Sequence, residues 1–119
     1  MTYEEMQEIL SECADALPPQ IYEDLNGGIL LLPDVKVCDD PPGKGLLRCG
    51  EYIYDPAGLG RYIIIYYGSI LRCFADLPKR ELAEQVKKVL FHELTHHLEN
   101  LAGDRSLELQ DEIDLLPYR

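Results

Sequence analysis

Apolar residues recur at spacings of three and four through Val86, Leu90, Leu94, Leu98 and Leu101, so one stripe would run down one side of any helix formed there. This periodicity predicts a helix near 79–102 that packs against a core. A second helix is predicted at the start of the chain. There Thr2 with Glu5 three residues later makes a capping box for an amphipathic segment reaching Leu17, where Pro18-Pro19 stops it. Asn26-Gly27-Gly28 reads as a turn, and the apolar runs Ile29 to Leu32 and Val35 to Cys38 as strand material interrupted by Pro33-Asp34. After a loop at Asp40-Pro41-Pro42-Gly43-Lys44-Gly45, the Ile- and Tyr-rich runs Leu46 to Tyr54 and Arg61 to Cys73 flank the turn Asp55 to Gly60, which predicts two paired strands. Gly68-Ser69 is expected to bulge or bend the second of them. Gly103 is expected to end the long helix in a left-handed conformation, with a last helix near 105–115. No repeat, low-complexity stretch or linker divides residues 1–119, which reads as one α+β domain.

The polar face of the long helix carries the chemistry. All three histidines fall within His92-Glu93-Leu94-Thr95-His96-His97. Residues four apart on a helix stand about 40° apart on one face, so His92 and His96 can both offer an imidazole nitrogen to one zinc ion. Glu93 stands beside that pair, where a carboxylate can reach a water without ligating the metal, as the general base of the His-Glu-x-x-His pattern does. His97 lies one residue round toward the apolar stripe and reads as a packed or hydrogen-bonded histidine, not a ligand. Catalytic zinc takes three protein ligands and leaves one position open, and no histidine remains, so a carboxylate is expected as the third. Glu99 continues the same helix about 7 Å along the axis and misses the ion. Asp104, just beyond Gly103, is the expected third ligand, with Glu108 and then Asp111 as alternatives; Asp104 could equally cap the following helix. The tyrosines at 62, 66 and 67 read as strand packing rather than donors to a reacting group.

Composition narrows the partners. Eleven basic against 22 acidic residues leave a net charge of −11, which argues against nucleic acid, since phosphates call for a basic surface. The acidity suits a basic partner or simply a solvated surface. No apolar stretch long enough for a membrane helix occurs, and the start Met1-Thr2-Tyr3-Glu4-Glu5 lacks a basic, apolar leader, so a cytoplasmic protein is expected. Cys13, Cys38, Cys49 and Cys73 have no short zinc-ligand spacing and are expected to be reduced and structural. The glycines at 43 and 45 do not form a phosphate-binding loop, because the Gly-Lys-Ser/Thr ending is missing.

With the doubled histidine of His92-Glu93-x-x-His96-His97-Leu98, an acidic residue after the following turn and the upstream order of strands, the chain resembles the small one-domain zincin-like metallopeptidases of bacteria. The resemblance covers most of the chain. That family has a glycine close behind the doubled histidine and an acidic residue three further on, whereas Leu98-Glu99-Asn100-Leu101-Ala102 here lengthens the helix before Gly103; the acidic position then falls on Asp104. The resemblance implies a minimal zincin-like fold: a small twisted, mostly antiparallel or mixed sheet with an N-terminal helix, the metal-binding helix and a C-terminal helix. It also implies one zinc ion per chain, held by His92, His96 and Asp104, with Glu93 as general base in hydrolysis of a peptide or protein substrate. A strand edge beside the metal could hold that substrate as an added strand. For a chain of this length a shallow groove is expected. The competing expectation is a non-catalytic metal-binding or protein-interaction module on the same fold.

Overall fold

The computed structural model describes residues 1–38 and 45–104, with the side chain of Asp104 excluded. Helix α1 (Tyr3–Asp15) begins at the expected capping box: the Thr2 hydroxyl accepts from the Glu5 amide and the Glu5 carboxylate accepts from the Thr2 amide. A 3-10 turn (Pro19–Tyr22) follows the proline pair. The strands are β1 (Gly28–Leu32), β2 (Lys36–Val37), β3 (Leu47–Arg48), β4 (Gly50–Asp55) and β5 (Gly60–Tyr66); α2 (Tyr67–Cys73) and α3 (Lys79–Asp104) complete the described elements.

Three strands form a mixed sheet in the order β1-β5-β4, with β1 parallel and β4 antiparallel to the central β5, while β2 and β3 make a separate antiparallel pair. The sheet, α1 and α3 share one core. Met6 and Leu10 of α1, Ile63 and Ile65 of β5, and Leu82, Val86, Leu90, Leu94 and Leu98 of α3 belong to a single buried cluster. Every residue of the predicted stripe from Val86 to Leu101 is buried. Alternation along β5 sends Ile63 and Ile65 into this core. No helix among the described residues is long and apolar enough to cross a membrane.

Helix α1 stops at Asp15, short of Leu17, and the run Leu46 to Tyr54 breaks at Cys49 into β3 and β4, which pair in different sheets; two further differences alter the architecture more. The run Arg61 to Cys73 is a strand only as far as Tyr66; from Tyr67 it is helix α2. At Gly68 the chain passes so close to β1's exit that a Cβ there would lie 2.7 Å from the Pro33 carbonyl oxygen and 2.8 Å from that of Asp34. Next to it, the buried Ser69 hydroxyl accepts from the Lys36 amide at 2.8 Å, and the Tyr67 hydroxyl donates to the Met1 carbonyl. These long-range contacts override the strand propensity of Tyr67, Ile70 and Leu71. The second difference concerns α3, which passes through Gly103 without a left-handed turn and includes Asp104. The helix expected near 105–115 lies outside the described residues.

Candidate metal centre

The turn of α3 from His92 to His96 faces the first half of β4, the strand at one edge of the sheet. His92 and His96 are exposed, and their Nε2 atoms stand 3.0 Å apart with the rings nearly perpendicular. A proton on either Nε2 could bridge the two nitrogens. Two imidazole nitrogens on one tetrahedral zinc at 2.0–2.1 Å would be about 3.3 Å apart, so a single ion could take that proton's place with a small adjustment of the rings. Among the described residues these two imidazoles are the donors that suit a zinc ion, and they supply two of the three protein ligands such an ion takes.

Glu93 points to the sheet side and is only 6% exposed. Burial pushes its carboxyl from an ordinary 4.5 up to about 7; the Arg48 guanidinium pulls the other way and Glu51 adds to the rise. Gly50 makes this packing possible: a Cβ there would lie 2.7 Å from Val89 Cγ1 and 3.1 Å from both Glu93 Cγ and Oε2. The carboxylate thus rests against backbone at the start of β4. Across the face of this arrangement opens a cavity of about 640 Å³, bounded by His92, Glu93 and His96 on one side and by Arg48, Glu51 and Tyr52 on the other. Its far end is formed by Glu99 and Asn100. Arg48 is the one cation lining it among the described residues, and its Nη2 donates to Cys38 Sγ at 3.4 Å.

The walls are held by specific bonds. His97 is fully buried, with Nε2 2.9 Å from the Glu23 carbonyl oxygen and Nδ1 2.9 Å from the Tyr52 hydroxyl. A carbonyl can only accept, so Nε2 carries a proton that it donates to Glu23, while Nδ1 and the Tyr52 hydroxyl share a second hydrogen bond. The expected reading of His97 as a hydrogen-bonded core histidine holds, and the bond ties β4 to α3. Farther along, Arg61 Nε donates to Asn100 Oδ1 at 2.8 Å while its guanidinium stacks over the Tyr54 ring. Tyr66 donates to Glu51 Oε1 at 2.7 Å from a buried position, and burial raises its hydroxyl pKa. Tyr62 lies against Gly27 and Tyr67 against the N-terminus, so both serve packing.

Of the sequence-predicted site residues, the structure brings His92, Glu93 and His96 together. No third metal-ligating side chain joins them among the described residues. Asp104 continues the same helix, and its side chain, with Glu108 and Asp111, lies outside the described residues. Arg48, Gly50, Glu51 and Tyr52 were not legible as site residues, because they lie some forty positions upstream and carry no local pattern that links them to α3.

The sequence pattern of a family described as zincin-like metallopeptidase matches residues 46–114. That span begins just before β3 and includes β4, β5, α2 and α3. No curated protein matches the chain. Among solved structures, a conserved hypothetical protein from Thermus thermophilus is similar: it is 32% identical, the match covers 87% of this chain and 100% of that one, and the TM-score is 0.72.

Proposed function

This chain belongs to the zincin-like metallopeptidase family, and from that premise we propose that it is a cytoplasmic zinc-dependent hydrolase of peptide bonds with Glu93 as general base. The observation that carries the reading is the pair of exposed imidazole nitrogens 3.0 Å apart beside the buried carboxylate of Glu93, at the wall of one cavity. His92 and His96 would hold the ion, with Asp104 as third ligand and Glu108 or Asp111 as alternatives. A bound zinc ion supplies Lewis acidity, polarising the scissile carbonyl and lowering the pKa of a water toward about 7. Glu93 would take the proton of the attacking water and hand it to the leaving amine. Its burial against Gly50 keeps bulk water from solvating the carboxylate and holds it in one position. The edge of β4 along the cavity, which pairs with no further strand among the described residues, suits an extended peptide that adds to the sheet, and Arg48 offers a guanidinium to a substrate carbonyl or carboxylate there.

Zinc content and cleavage test the two halves of the reading separately. Tag-free protein should carry about one zinc per chain, lost in His96→Ala, and Asp104→Asn should weaken zinc binding more than Glu108→Gln or Asp111→Asn. Glu93→Gln should retain zinc and lose cleavage of a mixed peptide library; cleavage equal to that of the parent would sink the assigned base. Zinc retained with no cleavage by the parent, and with no exchangeable water on the ion, would instead favour the non-catalytic metal-binding module.

A further inference from the structure

Cys49 and Cys73 are 24 positions apart in sequence, yet their Sγ atoms stand 3.6 Å apart, both as thiols. The fold creates this pair. Cys49 sits in the single-residue break between β3 and β4, where its carbonyl accepts from the Tyr66 amide at 2.8 Å, and α2 then carries the chain from Tyr66 back to Cys73 at its last turn. A disulfide requires about 2.05 Å between the sulfurs, so a further approach of about 1.5 Å by side-chain rotation is needed. The two thiols differ in access: Cys73 is exposed and Cys49 is partly buried. Cys49 also lines a hollow of about 350 Å³ together with Gly50, His92 and Glu93.

We propose that Cys49 and Cys73 form a two-thiol oxidation site whose oxidant is a hydroperoxide and whose product is a reversible intrachain disulfide. The exposed Cys73 sulfur attacks the peroxide oxygen; the O–O bond breaks, an alcohol or water leaves with the thiol proton, and Cys73 becomes a sulfenic acid. Cys49 then attacks the Cys73 sulfur. The S–S bond forms, the S–O bond breaks, and the hydroxyl leaves as water with the Cys49 proton. In sum two thiols and one hydroperoxide give one disulfide, one alcohol or water, and one water. The order of events follows from the environments. Cys73 is exposed and meets the peroxide first, whereas burial, then the hydrogen bond to Cys73, raise the pKa of the Cys49 thiol and make it the poorer initial nucleophile. Because Cys49 directly precedes Gly50, the bond would fasten the β4 wall of the cavity to α2. This inference does not rest on the hydrolase reading.

The test uses the full chain, reduced, freed of reductant and treated with a small excess of hydrogen peroxide, followed by alkylation, intact mass and tryptic mapping. The parent should lose two hydrogens per monomer and yield one cross-link between the tryptic peptide that begins at Cys49 and the one that begins at Cys73. Cys13 and Cys38 should remain alkylatable, and dithiothreitol should reverse the change. Cys49→Ser should accumulate a Cys73 sulfenic acid that dimedone traps, whereas Cys73→Ser should leave Cys49 unoxidised under the same conditions. An unchanged parent mass, a cross-link through Cys13 or Cys38, or dimers joined through Cys73 would each overturn the proposal. The parent protein carries the main readout, so misfolding of a variant could not imitate success. Zinc content and peptide cleavage, measured apart from thiol state, report on the proposed function alone.

Discussion

Two histidines one residue apart have opposite assignments because a helix turns about 100° per residue. His96 faces the cavity and His97 faces the core, where both its ring nitrogens are bonded. Removing His97 leaves the Tyr52 hydroxyl and the Glu23 carbonyl to find other partners and opens a void. His97→Ala should therefore cost about 2–4 kcal/mol in urea unfolding while the folded protein still binds zinc. His96→Ala, at an exposed position, should shift stability by no more than about 0.5 kcal/mol yet abolish zinc binding. Glu93 makes a pH-dependent contribution in the metal-free protein. Its folded pKa of about 7 lies above the ordinary 4.5, so between these values the folded state binds more protons than the unfolded one. Stability should consequently fall as pH rises through that window, with the loss complete above about 7. Urea midpoints measured from pH 4.5 to 8 on the parent and on Glu93→Gln check this; the variant should lack that component of the decline.

At the scale of elements, the packing of β4 on α3 depends on a missing side chain. Gly50→Ala would press a methyl into Val89 and Glu93, so it should cost about 1–3 kcal/mol and disturb Glu93, visible as a changed pH dependence of stability. Gly103 gives the opposite sign. It is exposed, part of α3, and an added Cβ meets nothing within 4 Å. Gly103→Ala should stabilise by about 0.5–1 kcal/mol in thermal unfolding, because alanine loses less backbone entropy in a helix. A destabilised variant would restore the left-handed helix end that the Ala-Gly-Asp sequence suggests. The same contrast explains which elements were legible. The capping box at Thr2 and the stripe of α3 are made by residues within a few positions of each other, whereas α2 arises where Gly68 and Ser69 meet the distant residues Pro33 to Lys36.

For the whole molecule, 22 acidic residues against eleven basic ones set up like-charge repulsion that the compact state feels more than the unfolded chain. Raising sodium chloride from low concentration to about 0.3 M should raise the urea midpoint of the metal-free protein at pH 7.5, since the screening length falls below about 10 Å. Within that acidic field, the cavity places Arg48 among Glu51, Glu93 and Glu99. Local periodicity encodes the faces of α1 and α3, the β4–β5 hairpin, and the placing of His92, Glu93 and His96 on one turn. Long-range packing selects which distant segments those faces meet. It set β1 parallel to β5, turned a strand-like run into α2 at Tyr67, brought Gly50 and Arg48 to Glu93, and placed Cys49 against Cys73. The physical reason is that burying an apolar stripe selects a face from its own spacing, but the partner of that face is chosen by packing and hydrogen bonds across tens of residues.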